Sequence, residues 1–278
     1  MTKKDNKKKR VHVSRSKRAT VLPVTFLMLF VSLMLMITTT YYVAMTRITA
    51  KGQTLNFSVA KQTMTALESN IDDIVWSPGA SFVYRIGESG GKFRIDPSAG
   101  TLTVNVTDGS FSYIVYQSPV GEAAYELAYA EPGSSGLYLR GSSAAIVNSS
   151  SSSIAQLKMA TGDTGQEIRL RYRPFASSTQ TGTAYGKPVN SLRIYIVNMN
   201  TSQNLTATGA FNLKVGCASV ESYIITYNLS YPISSIQVKA AFDYDASSTV
   251  SLPISSNVNG TIIDIELLIC SVRLQKVG

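Results

Sequence analysis

Histidine occurs once in this 278-residue chain, at His12, and cysteine only twice, at Cys217 and Cys270. A lone imidazole near the N-terminus excludes Ser-His and Cys-His nucleophilic pairs from the rest of the chain. Two isolated thiols exclude the clustered Cys/His sets that hold zinc. No glycine-rich loop of the phosphate-binding kind opens a helix. The 17 acidic residues are scattered. Asp243 and Asp245, two apart near a turn, match a Ca²⁺ loop only weakly and read as a solvated turn. The chain therefore reads as non-enzymatic, with no catalytic residue, cofactor or metal ligand expected.

Charge is absent as well from 28 consecutive residues, 19–46, whose centre reads VLPVTFLMLFVSLMLMITTTYY. A helix crossing a hydrocarbon core of ~30 Å needs about 20 mostly apolar residues. The run meets that length. A cleaved secretory signal has an apolar region of only ~7–15 residues followed by a small-residue cleavage site, and neither feature fits. A transmembrane helix over 19–46 is expected, with the lipid bilayer as its partner.

The flanks orient it. Residues 1–18 carry nine of the chain's 26 Lys and Arg and a single acid, Asp5. Excess Lys and Arg marks the cytoplasmic side, so residues 1–18 read as a basic cytoplasmic leader and everything beyond the span as extracellular. Tyr41 and Tyr42 stand where the outer interface belongs. The whole chain carries a formal charge of +9, but the tail accounts for +8 of it, and the remainder is nearly neutral. The basic excess is thus an orientation and headgroup signal, and no nucleic-acid partner is expected.

After the span, Phe57, Ala60, Met64, Leu67, Ile71 and Ile74 recur at spacings of three and four, the stripe of an amphipathic helix. Lys61, Glu68, Asp72 and Asp73 fall mostly off it. The spacing predicts a stalk helix over 47–76, weakened at Gly52 and stopped by Ser77-Pro78-Gly79. The stripe can pack on the following domain, on copies of the chain, or on both.

From Ala80 the period changes to two. Candidate strands rich in Val, Ile, Tyr, Phe and Thr fall at 81–87, 92–96, 101–107, 111–117, 123–129, 137–140, 144–148, 154–159, 166–173, 191–198, 210–217, 221–228, 235–242 and 260–274. Thr107-Asp108-Gly109-Ser110 marks a tight hairpin. The Ser/Thr/Gly-rich stretch 174–188 reads as a long loop inside one domain, and Asn148 to Ser153 as a loop tip. The expected fold class is α+β: an N-terminal transmembrane helix continuing into an amphipathic stalk, then a mainly antiparallel β-sandwich ectodomain over 77–278.

Three details of the ectodomain bear on function. Glu167, Arg169, Arg171 and Arg173 share one strand face, with Ile168, Leu170 and Tyr172 on the other. An arginine row can grip anions, although the ordinary reading is a solvated face. Phe211, Leu213, Val215 and Cys217 alternate inward. Ile263, Ile265 and Leu267 do too, with Cys270, Val272 and Leu274 in the opposite phase, so a bulge near Leu268–Ile269 would bring Cys270 inward. A Cys217–Cys270 disulfide is expected on the oxidising side, buried free thiols being the alternative. Seven Asn-x-Ser/Thr sites occur, at Asn56, Asn105, Asn148, Asn200, Asn204, Asn228 and Asn259. Composition alone predicts about three, and all seven follow the span, as extracellular N-glycosylation requires.

The N-terminal architecture resembles the archaeal type IV pilins and pilin-like surface proteins. Lys17-Arg18-Ala19-Thr20 is similar to their leader-processing site, and Pro23 to the proline seen early in many of their helices. Ala19 stands where glycine is commonest, and no acid occurs between Asp5 and Glu68, where many pilins carry an early Glu. The stretch 80–107 is similar to pilin-like membrane-anchored proteins of archaea. The resemblance implies a prepilin-type peptidase cutting beside Ala19, with Arg18, Ala19 and Thr20 as the processing residues. It also implies lateral assembly of the helices with copies of the chain or other pilin-like subunits. The expected function is a structural or adhesive cell-surface subunit. The alternative is a permanently anchored single-pass envelope protein whose β-sandwich is a binding module.

Overall fold

The computed structural model describes residues 18–128, 135–162, 165–243 and 246–277, with side chains from Pro23 onward. One helix, α1 (Arg18–Ile74), runs 57 residues without a break through Gly52, and the boundary between the chain's two compact units falls just after that glycine. The helix stops where Trp76 takes a positive φ of 73° and Gly79 one of 82°, at the Ser-Pro-Gly sequence that cannot continue the helical hydrogen bonding.

Among the described residues thirteen strands follow. In chain order they are β1 (Ser81–Ile86), β2 (Gly91–Thr107), β3 (Ser112–Leu127), β4 (Tyr138–Arg140), β5 (Ala155–Thr161), β6 (Gln166–Tyr172) and β7 (Phe175–Ala184). The remainder are β8 (Lys187–Asn198), β9 (Leu205–Thr208), β10 (Phe211–Leu229), β11 (Ser235–Phe242), β12 (Ser247–Pro253) and β13 (Thr261–Val277). They form two sheets. One has the order β1-β10-β13-β8-β7, and the other β12-β11-β2-β3-β6-β5-β4, with β9 added beside β2. Pairing is mainly antiparallel. Among the described strands, β13 and β8 are the one parallel pair. The second sheet is curled: the Arg171 guanidinium of β6 lies 4.3 Å from the ring centre of Phe242 in β11, three strands away in the sheet order.

Two apolar cores hold the strands. The helix stripe enters the first: Phe57, Ala60, Met64, Leu67, Ile71 and Ile74 are all buried, with Phe93, Tyr125, Met159, Ile168, Leu213 and Val272 around them. Each fully buried large apolar side chain contributes about 1.5–3 kcal/mol, so the stripe secures the helix end. The second core has no helix in it and joins Leu102, Val104, Val238, Ile194, Ile263 and Ile265.

Several expectations are corrected. Stretch 174–188 is no loop but the hairpin β7–β8, closed by Tyr185 and Gly186 at φ 52° and 74°, the paired positive values of a tight primed turn. Strand β7 lies at the sheet edge, and its Ser/Thr-rich sequence lacks the apolar alternation that reveals a half-buried strand. Short strands β9 and β12 were not expected. Candidates 92–96 and 101–107 fuse into β2 across a bulge between Asp96 and Gly100. Candidates 111–117 and 123–129 fuse into β3, where Pro119 is tolerated because only one side of that stretch is paired. Candidates 210–217 and 221–228 fuse into β10. Stretch 144–148 is not a strand and contributes only the bridge from Val147 to Phe175. The expected bulge at Leu268–Ile269 is absent from β13. The extra residue is Ala218, on the partner strand β10 between Cys217 and Ser219. The alternation of β13 is unbroken: Ile263, Ile265 and Leu267 face the second core, and Cys270, Val272 and Leu274, on the strand's other face, enter the first.

Candidate functional site

The N-terminal segment of α1 has the most unusual surface. From Val24 to Ile48 its large apolar side chains are between 45 and 74 % exposed. They lie all around the helix, and Arg47 is the one charge among them. The hydroxyls there turn back on the helix: Ser32 Oγ donates to the Met28 carbonyl at 2.8 Å, Thr38 to Met34 at 2.8 Å, Thr39 to Leu35 at 2.7 Å and Thr46 to Tyr42 at 3.1 Å. Polar groups satisfied within the helix are what an environment without water demands. The helix is long and apolar enough to cross a membrane. Arg18, Ala19 and Thr20, the expected processing residues, form its first turn. The basic tail, 1–17 with His12, lies outside the described residues.

The arginine row of β6 is only in part a solvated face: the Arg169 side chain is 41 % exposed and Arg171 is half-buried. Ile168, Leu170 and Tyr172 do point into the core, but Glu167 and Arg173 on the opposite face are 2 % exposed. Arg173 donates to the carbonyls of Ser153 (2.8 Å) and Ala144 (2.9 Å) and to Ser142 Oγ (2.8 Å), tying down the 141–154 segment. Arg169 is held by Glu167 and by Glu122, 3.6 Å away, and Arg94 reaches Glu167 at 3.4 Å. Arg171 donates to Gln156 Oε1 at 2.7 Å. Glu122, Gln156, Arg169 and Arg171 border a recess of about 250 Å³ on the outer face, lined also by Tyr138, Lys158 and Asp243. Burial pushes the Glu122 carboxyl above its usual range, against the pull of Arg169 and Arg171. Asp245, the partner expected for Asp243, lies outside the described residues.

Sequence reasoning did not single out Glu122, Gln156, Lys158 or Tyr138, which come from three other strands. The signal was the β5–β6 hairpin. Its register sets Lys158 opposite Arg169 and Gln156 opposite Arg171, which follows once both strands and their short connection are aligned.

A second polar cluster interrupts the helix stripe. Glu68, expected off the buried face, is fully buried, and its Oε2 accepts from Arg140 Nε at 3.1 Å. Asp72, one turn on, hydrogen-bonds Glu68. Burial first, then the Glu68 charge, raise the Asp72 pKa to about 6. The Tyr172 hydroxyl beside the pair is buried without a hydrogen-bond partner.

The two cysteines are brought together, Sγ to Sγ 3.5 Å apart, both buried and both free. Burial pushes the Cys270 thiol up to about 12. Of the seven sequon asparagines, Asn56, Asn148, Asn204, Asn228 and Asn259 are exposed. Asn105 and Asn200 are half-buried, Asn105 Nδ2 donating to Ser112 Oγ at 2.8 Å. Among the described residues no three His, Cys, Asp or Glu side chains converge to hold a metal. Compared with family models, with curated proteins and with solved structures, the chain matches none of them.

Proposed function

We propose that this chain is a non-enzymatic, pilin-like cell-surface subunit. Its N-terminal helix spans the membrane with the basic tail inside, and its β-rich domain is an extracellular sandwich. On this reading a prepilin-type peptidase removes the tail beside Ala19, and the freed helix assembles laterally with copies of itself. The sequons carry N-glycans, and the cysteines form a disulfide.

One observation carries the reading: an apolar helix surface from Val24 to Ile48, uncharged all round except at Arg47, that this chain's own side chains leave exposed. Water does not tolerate an apolar surface of that extent, so lipid or neighbouring helices cover it. The internally bonded Ser and Thr hydroxyls suit either cover.

A permanent anchor is the second reading. It is favoured by the absence of glycine from 19–46, since close helix–helix packing uses small residues. Mass spectrometry of the N-terminus in native membranes separates the two. A start at or near Thr20, with release of the protein by shearing cells, is the expected result. An intact lysine-rich tail on protein that sediments only with membranes rules out pilin processing and leaves the permanent anchor.

A further inference from the structure

We infer that the recess on the outer face of β5 and β6 binds a carboxylate-bearing sugar residue of the uronic acid kind. Lys158 and Arg169 are direct cross-strand partners, and Arg171 follows on the same face. Like charges directly opposite each other in a sheet are destabilising. The fold nevertheless concentrates three cations here and holds each in place. Arg169 is held by Glu122 and Glu167. Arg171 is fixed by Gln156 and lies over the Phe242 ring. The Lys158 ammonium lies 5.8 Å from the centre of the Tyr138 ring. Gln156 is itself anchored, its Nε2 donating to the Ser142 and Ala144 carbonyls at 2.6 and 3.0 Å. Cations held in fixed geometry are what carboxylate recognition requires.

The remaining lining selects among anions. Glu122 and Asp243 face the same space. Two carboxylates repel a dense anion such as phosphate or a nucleic-acid backbone, yet they accept hydrogen bonds from hydroxyl groups. Tyr138 lines the same space with its aromatic ring, beside the Lys158 ammonium. A ligand with one carboxylate, several hydroxyls and a C–H face uses all three kinds of group. The volume, about 250 Å³, is below the ~300–1,000 Å³ of drug-sized sites. It suits a single sugar unit. The inference does not depend on the membrane reading of α1.

The test uses the full chain in phosphatidylcholine nanodiscs, which avoid sugar-headed detergents. Calorimetric titration compares glucuronate, glucose and inorganic phosphate. Glucuronate is expected to bind with a Kd on the order of 1 mM, and glucose and phosphate at least about tenfold more weakly. Arg171→Gln is expected to weaken glucuronate about tenfold or more. Lys158→Gln, at the half-buried strand surface, gives the same readout should the arginine variant fail to fold. Three results overturn the inference: no heat with glucuronate, phosphate or glucose binding as tightly as glucuronate, or a folded Lys158→Gln protein with unchanged affinity.

Discussion

The Cys217 sulfur lies 3.5 Å from that of Cys270 across the β10–β13 ladder, although neither is the other's register partner. Cys217 pairs with Val272, Cys270 pairs with Val220, and the extra residue Ala218 slides the two thiols together. A closure of about 1.5 Å makes the bond. In an oxidising compartment the two thiols are expected to be joined, closing a loop worth about 4 kcal/mol in the chain-entropy model. Alkylation of the denatured, unreduced native protein should label neither cysteine, and labelling of both ends the proposal.

The Glu68–Asp72 pair makes stability depend on pH. The folded-state pKa of Asp72 is raised from 3.8 to about 6, so the folded chain holds a proton that the unfolded chain releases. The stability this brings is fully present below pH 3.8 and is lost as pH rises through about 6. Asp72→Asn should therefore match the parent near pH 4 and melt at a higher temperature near pH 8. Equal melting-temperature differences at the two pH values would refute the raised pKa of Asp72.

Arg140 is the other side of that cluster. Arg140→Ala leaves the carboxylate of Glu68 buried without its cation. The expected loss is about 2–3 kcal/mol, reduced from the value for fully buried pairs because Arg140 is half exposed. Adding Glu68→Gln should recover most of it. A double variant no better than the single one would mean that Arg140 acts by packing alone.

The helix should respond differently along its length. Leu67→Ala removes a fully buried side chain and is expected to cost about 2–5 kcal/mol in the β-rich domain. Leu35→Ala, on an exposed side chain, should leave that domain's urea midpoint unchanged. A shift of similar size for both variants would contradict the division of α1 near Gly52.

Tyr185 holds a left-handed φ of 52° in the β7–β8 turn with its side chain in solvent. A non-glycine residue of this kind pays about 1–2 kcal/mol there. Asn tolerates the conformation better, so Tyr185→Asn should raise the melting temperature by a few degrees. A decrease would show that the tyrosine ring is held by contacts worth more than the strain.

Much of this fold is legible in one dimension. The helix stripe from Phe57 to Ile74 is buried residue for residue, because a period of 3.6 against a single apolar core leaves no other solution. The turn at Thr107–Ser110 forms as its residues require, with Gly109 at φ 96° and Asp108 Oδ1 accepting from the Ser110 and Phe111 amides at 2.7 and 2.9 Å. The Arg row divides into core and outer faces as alternation demands.

Sequence by itself also determined the uncharged 28-residue run, its basic flank and the change of period from Ala80, all of which are local patterns of polarity. Only the tertiary structure decided what those patterns meet. Helical phase sets Glu68 at the margin of the stripe, four residues after Met64 and three before Ile71, but only the fold supplies Arg140, 72 residues away, to pair its buried carboxylate. β7 carries no apolar signal because an edge strand draws its stability from a neighbour's hydrogen bonds. The recess at Arg169 and Arg171 needs Glu122, Gln156 and Asp243 delivered by other strands through the curl of one sheet. Contacts between distant residues depend on register, bulges and curvature, and those are settled by the packing of the whole domain.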